Sequence, residues 1–210
     1  MTNLQKKQMS SNTIFHTMPE QIAVRLRQSI LSGELESGQP LREKEVSDWF
    51  GVSRGPVREV FRLLTQEGML VAVPNKGVKV AQKPSGDTRK LLVKLRVEIE
   101  TFVLNSIFDE ITAEDIKKLE LVLENIKSAC LNNDMGTLLE HDLNFHRVII
   151  QSHDEKDLFS IWRPMALRML IQYNRLGDLI ESYHEHKRIL DAIKAGDKKE
   201  AIAAIKANIR

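Results

Sequence analysis

From Pro19 onward, apolar residues fall at Ile22, Val24, Leu26, Ile30 and Leu31, mostly three or four apart, which predicts a helix over about 19–32. Pro19 suits its first turn and Gly33 its stop. After a turn over 33–38 and the pair Pro40-Leu41, a short helix is predicted over about 43–50, ended by Gly51. A further helix over about 54–67 follows, with Ser53 as its cap and Gly68 as its stop. Helix, glycine turn and helix at this spacing make a helix-turn-helix. Trp49 and Phe50 close the short helix and are expected in the core rather than as stacking platforms. Val71 and Val73 then alternate with Ala72 and Pro74, Asn75-Lys76-Gly77 supplies turn chemistry, and Val78 and Val80 alternate again. Two short strands in a hairpin are predicted.

The stretch Gln82-Lys-Pro-Ser-Gly-Asp87 has linker composition, and beyond it the period is helical throughout. Six helices are predicted: about 87–108 with Asp87 as cap, 112–132 with a Thr112/Asp115 capping box, 134–152, 155–174, 179–195, and 197–209 capped by Asp197. The fold class expected is mostly α, an N-terminal winged helix-turn-helix followed by an all-α bundle. The division expected is a flexible tail over 1–17, a winged helix-turn-helix domain over 18–81, a linker over 82–87, and a helical domain over 88–210.

Composition narrows the classes. With 210 residues, 42% hydrophobic and 29% charged, the chain can build real cores, which excludes disorder as its main state. Its one cysteine, Cys130, excludes a disulfide framework and a CxxC zinc ribbon, and is expected to be a small buried apolar residue. No run reaches the ~18 to 20 apolar residues of a membrane span and the polar N-terminus is not a signal peptide, so a cytoplasmic location is expected. The net charge of +2 is unevenly spread, +4 over residues 1–85 and −2 over the rest, so the first part is the one suited to a polyanion.

In a winged helix-turn-helix the second motif helix enters the major groove by its N-terminal end. Arg54 and Arg58 lie four apart on the first turns of that helix, and arginine there can donate two hydrogen bonds to guanine O6 and N7. The order Leu41-Arg-Glu-Lys-Glu-Val46, Gly51-Val-Ser-Arg-Gly-Pro-Val-Arg-Glu59, Gln66-Glu-Gly-Met-Leu70 and Pro74-Asn-Lys-Gly77 resembles, without a gap, the DNA-binding domain of GntR-family bacterial transcription regulators. The resemblance implies that Lys44, Arg54 and Arg58 face an operator, with Ser53 and Gly55 in the same turn. It also implies that Lys76 and Gly77 at the wing tip reach the minor groove or the backbone. Gly55 departs from the family, which commonly has Thr or Ser there.

In the second part, Asp142 and His146 are i and i+4 on one predicted helix and can share a cation. His186 and Asn208 lie at similar heights of the last helical hairpin, ~15 to 18 Å from its turn. Asp142-Leu-Asn-Phe-His146, Glu185-His186-Lys-Arg-Ile-Leu-Asp-Ala-Ile193 and Ala195-Gly-Asp197 resemble the FCD ligand-binding domain of the FadR-type branch, in its shorter, VanR-like form. The resemblance implies that Asp142, His146 and His186 occupy three of four metal-ligand positions. The fourth, usually His, is Asn208, a poorer ligand for Zn²⁺ or Ni²⁺. Arg96 matches an arginine that grips an effector carboxylate, and it can equally pair with Glu100. His16, His141, His153 and His184 are expected at the surface, and Met165, Leu167, Met169 and Leu170 in the core.

Together these features predict a metabolite-responsive regulator, a repressor that binds double-stranded palindromic operator DNA as a homodimer, with a small effector of organic-acid type in the bundle and a divalent transition metal as candidate cofactor. No catalytic residue is expected. A metal-dependent hydrolase using Asp142, His146 and His186 is the alternative from another class, and an RNA-binding or protein-docking winged helix the third reading.

Overall fold

The structure, a computed structural model, describes residues 17–74, 76–152, 156–171 and 178–210. It opens with α1 (Met18–Ser32), β1 (Pro40–Leu41), α2 (Glu43–Phe50), α3 (Arg54–Gln66), β2 (Leu70–Val73) and β3 (Gly77–Val80). The apolar stripe of α1 (Ile22, Leu26, Ile30, Leu31) packs with Val57, Val60, Phe61 and Leu64 of α3 into a core at most 4% exposed. A capping box at Thr17 and Glu20 starts α1, and Gly33 in the left-handed region (φ 84°) stops it.

The wing has one more strand than its sequence suggests. β2 and β3 form the expected hairpin, and β3 also pairs antiparallel with β1, in the order β1-β3-β2. Two residues carry no readable period, and only β3, nearly forty positions away, makes Pro40-Leu41 a strand. Gly77 opens β3 at φ 89°, and a Cβ there would lie 3.2 Å from the Leu41 carbonyl oxygen. The sheet therefore requires glycine at that point of the wing. Asn75, at the predicted turn, lies outside the described residues, as do His16, His153 and most of the expected tail.

Among the described residues six further α-helices follow: α4 (Gly86–Ile107), α5 (Ala113–Leu131), α6 (Met135–Gln151), α7 (Lys156–Leu170), α8 (Ile180–Lys194) and α9 (Lys198–Asn208). A 3-10 turn, Phe108–Glu110, separates α4 from α5. Ser85, not Asp87, caps α4, its hydroxyl accepting from the Thr88 amide, because the helix begins one residue earlier than its apolar period. The Thr112/Asp115 box and the Asp134 and Asp197 caps form at α5, α6 and α9. Leu170 is the last helical residue of α7, short of the expected 174, and 172–174 lie outside the described residues. Among the described residues no helix is long and apolar enough to cross a membrane.

Two burial expectations and one cap need correction. Trp49 is 45% exposed and Phe50 only half-buried, because the end of a helix as short as α2 projects past the core. His141 is half-buried on α6, where burial pushes its pKa down. Ser53 holds the N-cap position of α3 in extended backbone, but its side chain makes no capping bond.

Candidate functional site

Two sites share the chain. On the first part, the start of α3 stands clear of the core. Ser53, Arg54, Gly55 and Arg58 are exposed, as are Lys44 on α2 and Lys76 and Gly77 at the wing tip. A Cβ at Gly55 would meet nothing closer than the Ser53 hydroxyl at 4.0 Å, so packing does not demand glycine there. One acid joins these bases. Glu43 in the first turn of α2 accepts two hydrogen bonds from Arg58, Nε to Oε1 and Nη2 to Oε2, both 3.0 Å. That hydrogen-bonded pairing, with the Arg58 charge and then that of Arg54, holds the Glu43 carboxyl below its ordinary range.

The second site is buried where α4, α6, α7, α8 and α9 meet. Asp142 and His146 come from one face of α6, His186 from α8 and Asn208 from α9, so the residues singled out in the sequence converge. One ligand atom from each of Asp142, His146 and His186 lies within 4.8 Å of the others. His146 and His186 are fully buried and Asn208 is 8% exposed. Their ring centroids are 5.3 Å apart, and Phe145 stands edge-on to both.

Sequence reasoning took Glu100 only as a possible partner of Arg96 and missed its central position. Glu100, 1% exposed, accepts from Arg96 Nε (2.6 Å) and Trp162 Nε1 (2.7 Å), and its other oxygen lies 2.5 Å from His146 Nδ1. Burial alone would raise its pKa, yet the Arg96 guanidinium and the His146 ring hold it at about 2. Burial likewise opposes ionisation of Asp142, and His186, then Arg96, hold its carboxyl well below the usual range. Arg96 thus joins both acids, Nη2 being 3.7 Å from Asp142 Oδ2. The legible signal was the i,i+4 spacing of Arg96 and Glu100; Trp162, on another helix, gave none.

The hydrogen bonds fix what the histidines offer. His186 Nδ1 donates to the Ser182 carbonyl at 2.7 Å, which leaves Nε2 facing Asp142 Oδ1 at 3.3 Å. His146 Nδ1 faces the ionised Glu100, which leaves Nε2 facing Asn208 Oδ1 at 2.9 Å. His186 therefore has its Nδ1 proton drawn outward by a carbonyl and its Nε2 turned inward, the arrangement that prepares histidine as a ligand, and His146 likewise turns Nε2 inward with Nδ1 beside the Glu100 carboxylate. Taken with both rings neutral, the form in which histidine ligates a metal, Arg96, Glu100 and Asp142 sum to one negative charge, and His146 Nε2 and Asn208 Oδ1 meet at 2.9 Å in the middle of the cluster. His146 Nδ1, His186 Nε2 and Arg96 Nη2 are buried without a hydrogen-bond partner among the described residues. The donor set fits a cation, two nitrogens and a carboxylate with a neutral amide beside them.

A family model described as "Bacterial regulatory proteins, gntR family" matches residues 19–80, and one described as "FCD domain" matches 91–210. The gluconate operon transcriptional repressor of Bacillus subtilis is 30% identical over 199 residues, 89% of this chain and 80% of that protein. Its counterpart in Bacillus licheniformis is 29% identical over 84% of this chain and 76% of that protein. The solved structure of E. coli McbR/YncC superposes with a TM-score of 0.74 at 21% identity, covering 93% of this chain and 94% of that one, a likeness of fold.

Proposed function

The chain belongs to the GntR family of bacterial regulatory proteins and carries an FCD domain, and from that membership we propose that it is a metabolite-responsive transcription repressor that binds operator DNA as a homodimer. The carrying observation is the exposed pair Arg54 and Arg58 on the first turns of α3, beside a wing whose tip exposes Lys76. Lys44, Ser53 and Gly55 complete the surface offered to the duplex, with Gly77 at the wing tip. The division into a reading head over 18–81, a linker over 82–87 and an effector and dimerisation domain over 88–210 belongs to the same proposal.

Two identical reading helices match two half-sites, and this sets the two-fold symmetry. α4 and α7 pack together and leave Leu91 and Leu95 of one and Ile161 of the other 43–59% exposed, apolar surface suited to a second copy.

In the bundle, Asp142, His146 and His186 would hold a divalent transition metal such as Zn²⁺ or Ni²⁺, with Asn208 a weak fourth ligand. A bound cation would supply the charge the cluster lacks and open positions for an anionic ligand. Arg96 Nη2 supplies a hydrogen-bond donor for an effector carboxylate. The effector shifts operator affinity only by its differential affinity for the two head placements, so the chemistry is linkage. The family is one of regulators rather than enzymes, and Glu100, the further buried acid of the cluster, already faces three partners instead of a substrate water.

The test is duplex binding of the full chain by fluorescence anisotropy over a range of salt concentrations, alongside metal analysis of the purified protein. A regulator shows log affinity falling linearly with log salt, with a slope of roughly one per phosphate contact. Salt-independent or absent binding would contradict the proposal.

A further inference from the structure

We propose that Glu43 is a positioning residue for sequence reading, a carboxylate that holds the Arg58 guanidinium with its outer fork presented to a guanine. The inference rests on the DNA-reading role of α3 and goes beyond it, since an acid on a surface that meets a polyanion costs nonspecific affinity and needs a reason.

The geometry supplies one. Arg58 has five N–H donors in a planar fork. Glu43 takes Nε–H and one hydrogen of Nη2, each at 3.0 Å. The remaining hydrogens, on Nη1 and the far side of Nη2, form the end-on pair that matches guanine O6 and N7. Arg58 keeps this contact although its side chain is 72% exposed, while Glu43 is 32% exposed. A pair so exposed adds little to stability, so its value lies in orientation. A long side chain fixed before docking loses less rotamer freedom on binding. The carboxylate also makes the flank of Arg58 unattractive to phosphate, which steers the guanidinium from backbone to base edge. Arg54 adds its charge to the hold on the carboxylate from the same helix.

The experiment uses the full-length protein, a duplex recovered from a random pool by the wild-type chain, and a random-sequence duplex. Glu43→Gln should lower affinity for the recovered duplex roughly two- to ten-fold, the worth of one pre-ordered side chain. Binding to the random duplex should hold or rise. The relaxed base pair should be the one relaxed by Arg58→Ala, and adding Glu43→Gln to Arg58→Ala should cost nothing more. Glu43→Asp keeps the charge at the start of α2 but not the reach, and should lose discrimination as Gln does. Unchanged thermal unfolding of the variants excludes a merely structural effect on the α2 terminus, which would weaken both duplexes alike and spare the base preference.

Equal losses on both duplexes, tighter binding to the recovered duplex, wild-type discrimination in Glu43→Asp, or full additivity with Arg58→Ala would each overturn the proposal. A wild-type chain that recovers no duplex contradicts the regulator reading itself, and this inference falls with it.

Discussion

Glu100 carries more partners than any other acid of the buried cluster, and its ionisation links stability to pH. Its folded pKa, about 2, lies below its ordinary value of 4.5, so it stabilises the fold fully above about 4.5 and loses that contribution as pH falls toward 2. The magnitude is of order 3 kcal/mol for a shift of this size. Urea titrations at successive pH values should show the decline, and Glu100→Gln should reduce it, leaving the part that Asp142 contributes over the same acid range. The cation site gives a second residue-level test. Calorimetric titration of the apo protein with Zn²⁺ should give saturable binding that Asn208→His tightens and His146→Ala abolishes; no gain on Asn208→His would mean that position faces no ligand. Asp142 with His146, and His186 with Asn208, were legible as pairs because i,i+4 spacing and a short helical hairpin fix side-chain placement locally, and only the resemblance to FCD domains brought the two pairs together. Glu100 with Trp162, and Glu43 with Arg58, were not, because each pair joins two helices whose relative placement no local period encodes.

At the scale of elements, α6 is the piece most others depend on. It carries Asp142 and His146 on one face and packs against α1 on another, where Gly136 allows the backbones to close. A Cβ at Gly136 would stand 2.9 Å from the Gln28 carbonyl oxygen, a contact that only backbone movement relieves. Gly136→Ala should therefore cost about 1–3 kcal/mol in urea unfolding, although alanine favours a helix. Helix ends were largely readable because caps are local chemistry: Thr112 with Asp115, and Asp197, stand where the sequence puts them, and Asp134 caps the helix predicted to begin there. β1 escaped because its strand character comes entirely from β3, and Ser85 was passed over for Asp87 because both are good N-cap types two residues apart. Gly136 looked like any helical glycine until α1 was in place.

Across the whole molecule, a buried charge network ties the winged part to the bundle. Arg27 of α1, 6% exposed, donates to both Glu67 oxygens at 3.2 Å and to Glu140 of α6 at 2.9 Å. Arg163 of α7 donates to Glu67 at 2.8 and 3.1 Å. Glu140 precedes Asp142 by two residues on α6, so a cation or effector that shifts α6 acts on a helix bonded directly to the reading head. Neutralising Glu67 leaves Arg27 with Glu140 alone and Arg163 without its acid: Glu67→Gln should destabilise by about 1–3 kcal/mol, read by urea unfolding. The claim with most at stake is that two copies read duplex DNA by a two-fold arrangement of α3, and selection from a random duplex pool by the full-length protein tests it most directly. A dimeric regulator enriches an inverted repeat with a guanine in each half, at which Arg58→Ala gives up ~1 to 3 kcal/mol of discrimination. No enrichment, or enrichment of a single unrepeated site, would contradict it.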